Sequence, residues 1–228
     1  MSEVAAIVEG QAEQAFVRQI LEPYLAPKGI YIWATLPGRV FRRGGVRPWQ
    51  SIYGDVQRTL KQRKDRYVTT MFDFYGMPKD WPGRTDASSL PWARKGEFVE
   101  SALIADIETR MRDECAPGRF IPYVQIHEFE AVLFSDVQVL NGVLKELPGC
   151  RCHDLLGNLQ RILDEVGDPE AINDNPESAP SKRLASLAPG YKKPSHGVIV
   201  AQRLGLQKIR SACPNFNRWL TRLESLGS

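Results

Sequence analysis

Residues 4–16 read VAAIVEGQAEQAF. Val4 to Val8 form a short continuous apolar run, the pattern of a strand buried on both faces of a parallel sheet. Glu9-Gly10 ends the run, and from Ala12 the apolar positions Ala12, Phe16, Ile20 and Leu21 recur at helical spacing toward Leu25. Pro23 sits inside that pattern and predicts an early end to the helix. The same strand-then-helix unit recurs downstream. Strands are predicted at 30–36, 67–72 and 120–126, and helices at 52–64, 98–111 and 129–144. This alternation predicts an α/β fold of Rossmann-like type, a parallel sheet with helices on both faces.

Beyond residue 146 the chain changes character. Helical patterns occupy 153–165, 181–188, 195–212 and 214–226, around a Pro-, Asp-, Asn- and Ser-rich connector at 167–180. The expected organisation is an α/β core at 1–146 and a helical C-terminal extension at 147–228 packed on it. A chain of 228 residues with 43% hydrophobic and 25% charged residues is globular in composition, which argues against general disorder. No apolar stretch approaches the ~18 residues of a membrane span, and the start lacks the pattern of a signal peptide. The expectation is a cytoplasmic protein without a membrane partner. Cys150 and Cys152 stand beside His153 without a second ligand pair, so all four cysteines read as reduced thiols rather than a zinc site.

The acids fall in a pattern. The first strand leads to Glu9, with Glu13 about one turn into the next helix; the third leads to Asp73; the fourth leads to His127, Glu128 and Glu130. In an open parallel sheet the carboxyl ends of the strands form one edge, and ligands bind there. Carboxylates gathered at that edge repel unless a cation sits among them, and such oxygen donors suit Mg²⁺ or Mn²⁺. A metal so held activates water and polarises a phosphoryl oxygen. Glu13 also reads as a first-turn glutamate favoured by the helix dipole, and Asp73 as a turn or cap residue. Glu128 and Glu130 lie two apart, so on a helix only one of them faces the edge. There is no G-x-x-x-x-G-K-[ST] and no G-x-G-x-x-G after the first strand, and HEFEA lacks the second histidine of H-E-x-x-H. These absences argue against a P-loop ATPase, a dinucleotide site and a zinc protease.

Net charge is +3, unevenly spread: residues 39–66 hold nine bases and two acids, a local balance of +7. Arg39, Arg42, Arg43 and Arg47 share a loop with Phe41 and Trp49. Arginine forks suit phosphates and aromatic rings stack on unpaired bases; the alternative is that the two aromatics anchor the loop to the core. Lys182, Arg183, Lys192, Lys193 and His196 form a second basic group. If it folds over the strand edge, Lys193 contacts phosphate or the transition state. The loop 74–95, with Trp81, Arg84 and Trp92, reads as a lid or a partner-docking segment. Residues 213–223 read as a Pro-started helix with an apolar core stripe.

IVEGQAE, FDFYG and IHEFEAVLF together resemble the TOPRIM (topoisomerase–primase) fold. With PGYKKPSHG and ACPNFNRWLTRLE, most of the chain is similar to a bacterial TOPRIM-like family allied to nucleases of overcoming-lysogenization-defect type. The resemblance implies metal-dependent phosphodiester cleavage of DNA or RNA, with Mg²⁺ or Mn²⁺ as cofactor. Glu9 matches the TOPRIM glutamate, as metal ligand or general acid/base, and Glu13 the second acid of E-G-x-x-E. Asp73 matches the first aspartate of D-x-D, and Glu128 or Glu130 the acid after the fourth strand. Tyr75 stands where the second aspartate belongs, and a phenol is a poor ligand for a hard cation. The resemblance also implies an AAA- or ABC-type ATPase partner encoded nearby and a role in phage defence. Two rivals stay open: a catalytically degenerate nucleic-acid-binding or regulatory subunit, and a phosphotransfer enzyme or phosphatase acting on small molecules. The sequence is silent on oligomeric state, and a homo-oligomer stays open.

Overall fold

The computed structural model describes residues 1–38, 45–112, 114–172 and 179–227. Four strands, β1 (Ser2–Val8), β2 (Ile30–Thr35), β3 (Arg66–Asp73) and β4 (Phe120–Gln125), form one sheet in the order β2-β1-β3-β4. All three pairings are parallel, and helices flank both faces, a fold of TOPRIM and Rossmann-like type. The register sets Val8 beside Met71 and Asp73 beside Gln125, so β1, β3 and β4 end at one edge. Val4 to Val8 are buried on both faces, which is why the run is unbroken by polar residues.

One face packs Ala5, Ile7, Val68, Phe72 and Val124 under α3 (Trp49–Gln62) and α4 (Trp92–Arg110). The first crossover, on the other face, runs through α1 (Gln11–Phe16), a π-helical turn (Val17–Leu21) and α2 (Glu22–Leu25). Pro23 does not end this helix: it falls in the first turn of α2, just past the π-turn. The same face holds the rest of the chain: α5 (Val137–Lys145), α6 (Leu155–Asp164), α7 (Pro180–Leu187), α8 (Lys193–Ala212) and α9 (Pro214–Glu224). Leucines and aromatics of these helices join Val4, Ala6, Val8, Met71 and Tyr123 in one core. Trp219 stacks on Tyr123 at 4.6 Å and donates its indole N–H to Thr69 Oγ1 at 2.8 Å. The buried Glu170 carboxylate accepts the N–H groups of Asn215 and Phe216 at 2.8 and 3.0 Å and so caps α9.

Two local expectations change. The helix predicted over 129–144 divides into a 3₁₀ segment, Phe129–Ser135, and α5. Asp136 makes the break, because its Oδ1 accepts from Gln138 and Val139 and caps the new helix. The loop 74–95 is pinned rather than free. Trp81 is buried and donates to the Arg47 carbonyl at 2.8 Å, and Arg84 donates to the Phe74 carbonyl at 2.8 Å. Trp49 is an anchor too, buried against Trp81 and bonded to Asp106 at 2.7 Å. Among the described residues no helix is long and apolar enough to cross a membrane.

Candidate active site

β1 lies between β2 and β3, so the chain leaves it first to one side and later returns on the other. The crevice of such a sheet opens at this switch, outside the carboxyl ends of β1 and β3. Glu9 and Asp73 stand there. The Glu9 N–H still pairs with the Met71 carbonyl at 3.1 Å, while its Oε2 accepts the Asp73 N–H at 3.2 Å. Gly10 lets Glu13 fold back over this turn: a Cβ at Gly10 would lie 3.1 Å from Glu13 Oε2. Gly76 is equally constrained, with Val46 at 3.2 Å and Glu9 Oε2 at 3.8 Å from a Cβ placed there.

The C-terminal helices supply the counter-charge. Lys193 opens α8 and sets its Nζ 3.1 Å from Glu128 and 3.0 Å from Glu130. Glu128 and Glu130 therefore both face one cation, because Glu128 precedes the 3₁₀ segment in extended backbone (φ −57°, ψ 156°) and does not share a helix with Glu130. Glu128 also accepts the Ser181 N–H at 2.9 Å, and Tyr191 donates its hydroxyl to Glu130 at 3.3 Å.

Burial raises the pKa of Glu9, Glu13 and Asp73, and the charges of neighbouring acids add to it; Asp73 moves furthest of the three. Burial likewise pushes Glu130 up to about 7, against the pull of Lys193. Burial acts upward on Glu128 as well, but Ser181 and Lys193 outweigh it and hold this carboxyl below its usual range. For Lys193, burial works against the charge, yet Glu130 and Glu128 prevail and raise its pKa. Its attraction also reaches Glu9, Glu13 and Asp73.

Glu9, Glu13 and Asp73 are hard oxygen donors whose charges repel one another, a set that a divalent cation such as Mg²⁺ or Mn²⁺ relieves. The donor types fit such an ion. As they stand, no three His, Cys, Asp or Glu side chains among the described residues are arranged to enclose one.

Sequence reasoning missed the rim. Tyr75 accepts a hydrogen bond from the buried Lys95 Nζ at 3.1 Å and stacks on the buried His127 at 5.1 Å, nearly parallel. Lys95 lies 22 residues after Asp73 on another element, so nothing local in the sequence signals the contact. Of the basic candidates, Arg39, Arg42 and Arg43 lie outside the described residues. Arg47 is half-buried near Trp81, and the exposed Lys192 donates its backbone N–H to His196 Nδ1 at 2.8 Å.

The family described as "Domain of unknown function (DUF4276)" matches residues 8–224, and the chain belongs to that family. No curated protein sequence matches. Among solved structures, the C-terminal region of the Burkholderia pseudomallei OLD protein aligns with TM-score 0.51 at 16% identity, over 99% of this chain and 98% of that one. The C-terminal region of the Xanthomonas campestris pv. campestris OLD protein aligns with TM-score 0.51 at 16% identity, over 99% and 94%. At this identity the likeness is one of fold.

Proposed function

We propose that the chain is a metal-dependent nuclease of TOPRIM type that cleaves phosphodiester bonds in nucleic acid. The observation that carries this reading is the convergence of Glu9, Glu13 and Asp73 at the β1/β3 edge with Lys193 across from them. Glu9, Glu13 and Asp73 would hold Mg²⁺ or Mn²⁺. Such an ion, when bound, supplies an activated water and a polarised phosphoryl oxygen. Lys193 adds positive charge where the phosphoryl group gains negative charge. Glu130, titrating at about 7, holds or releases a proton beside the Lys193 ammonium near neutral pH, the range useful for acid–base work. Arg47 and Lys192, with Arg39, Arg42 and Arg43, bind the strand backbone in this reading. The sequence resemblance extends it to an AAA- or ABC-type ATPase partner and to phage defence.

Tyr75 favours one alternative. A phenol hydrogen-bonded to Lys95 is a weak ligand for a hard cation, which suits a degenerate nucleic-acid-binding subunit. Calorimetric titration with Mn²⁺, on wild type and Asp73→Ala, separates the two. Micromolar binding lost in the variant, with cutting of DNA or RNA in the wild type, supports the nuclease. A folded wild type that binds no Mn²⁺, with or without nucleic acid, selects the binding subunit.

A further inference from the structure

β4 is buried along its whole length, and Gln125 at its carboxyl end carries the one side-chain amide in it. Gln125 is only 4% exposed, and neither its Oε1 nor its Nε2 has a hydrogen-bond partner. Among the described residues no other side chain leaves two buried polar atoms in that state. Strand alternation fixes where this amide lies. Met71, Ile121 and Tyr123 belong to the core under α8 and α9, while Phe72 and Val124 belong to the opposite one. Asp73 and Gln125 therefore both project on the α8 face. The parallel register pairs Asp73 directly with Gln125, on strands about 4.8 Å apart. The amide is thus the next side chain to Asp73 across the sheet edge, on the face from which the Lys193 charge acts on Asp73.

Polar side chains buried nearby for structural reasons are partnered. The Thr69 hydroxyl accepts from Trp219 and donates to the Ile121 carbonyl. Glu100 accepts the Val124 N–H at 3.0 Å and pairs with Arg218 at 3.0 Å, and Glu170 caps α9. A buried amide with both ends unpaired is costly, and such a group in a native fold calls for an explanation. Its chemistry says what it lacks: a cation or donor at the oxygen, and an acceptor at the N–H₂. The acids beside it lack something complementary. Among the described residues no three His, Cys, Asp or Glu side chains enclose an ion. An amide carbonyl is a hard oxygen that suits Mg²⁺ or Mn²⁺, and it adds a contact without adding charge to a set that already repels itself.

We propose that Gln125 is a neutral ligand of the divalent cation, with Oε1 meeting the ion beside Asp73 and Nε2 donating to an anionic oxygen held by the same ion. The inference rests on the metal-dependent reading above and adds to its carboxylates a donor from β4. It also accounts for both orphaned atoms at once, since a cation and the oxygen it holds present one positive and one negative partner to the two ends of the amide.

The test pairs Mn²⁺ calorimetry with urea unfolding of the metal-free protein, on wild type, Gln125→Met, Gln125→Glu and Asp73→Ala. Methionine keeps the length of the side chain and removes both polar atoms. Gln125→Met binds Mn²⁺ about 10-fold more weakly than wild type. Without metal it unfolds at a urea midpoint equal to or above that of wild type, because a buried unpaired amide has gone. Gln125→Glu puts an oxygen back in the same place and returns Mn²⁺ affinity to the wild-type level or above at about pH 8. Gln125→Met that binds Mn²⁺ within about 2-fold of wild type overturns the proposal, and leaves the nuclease reading standing where Asp73→Ala abolishes binding. A lower urea midpoint in metal-free Gln125→Met, or failure of that variant to fold, also overturns it, since the amide is then held by the fold or by buried water. Wild type that binds no Mn²⁺ overturns the proposal and the nuclease reading together.

Discussion

Replacing Glu130 by glutamine removes one ionisable group from the bottom of the crevice and keeps its shape. In the native state the Glu130 carboxyl titrates at about 7 rather than 4.5, because it is fully buried. Each pKa unit is worth about 1.4 kcal/mol, so ionising Glu130 costs roughly 3 kcal/mol more in the folded protein than in the unfolded chain. Between these two pKa values the native state binds more protons than the unfolded state. Stability therefore falls as pH rises from about 4.5 to about 7 and levels off above that. Glu130→Gln lacks this slope. Its Tyr191 partner keeps a carbonyl acceptor, and Lys193 keeps Glu128 at 3.1 Å. Urea unfolding of both proteins between about pH 5 and about pH 8 isolates the effect, since Glu170, also at about 7, cancels in the difference. The variant gains on wild type by roughly 3 kcal/mol over that range, or about 6–12 °C in Tm for a chain of this size. Curves that stay parallel to within about 1 kcal/mol would refute the burial argument and the acid–base role with it.

The other predictions concern the same edge and its support. Gly10→Ala keeps an allowed backbone (φ −147°) but sets a Cβ 3.1 Å from Glu13 Oε2. Calorimetry should show Mn²⁺ affinity reduced several-fold while Tm moves by less than about 3 °C; an intact affinity would remove Glu13 from the ligand set. Mn²⁺ affinity of the wild type should rise with pH, because Glu9, Glu13 and Asp73 titrate above their usual range and must lose protons to bind. A flat profile between about pH 5.5 and about pH 7.5 would contradict that. Glu170→Ala leaves two buried N–H groups at the start of α9 without an acceptor. It should cost about 2–4 kcal/mol near pH 6, read by thermal or urea unfolding, and a loss under about 1 kcal/mol would mean water replaces the cap.

The sheet was legible because β1 and β4 are buried on both faces and so carry unbroken apolar runs, and because parallel strands must alternate with helices. Glu9 and Asp73 were legible for a related reason: a charge directly after a buried strand has only the sheet edge to go to. What could not be read was anything set by contact between distant segments. Lys193 reaches Glu128 and Glu130 across more than sixty residues, and only the packing of α8 decides that it does. Residues 129–135 are apolar enough to pass for an α-helix, and the Asp136 cap that divides them is a signal a periodicity search passes over. Trp49 looked as able to meet a base as to anchor its loop. Its bond to Asp106, 57 residues away, decides for the anchor.

The placement of Lys193 also ties the two ends of the chain together electrostatically. β1 and β3, with α1, gather Glu9, Glu13 and Asp73, and the ammonium that faces them comes from α8, far along the chain. The parallel pairing of β1 with β3 brings like charges together at their carboxyl ends. The packing of α8 and α9, with Trp219 on Tyr123, both completes the core on that face and holds the cation in place. The charge balance of the crevice therefore depends on the C-terminal helices being in place, since α8 brings the ammonium that faces the acids of the sheet edge.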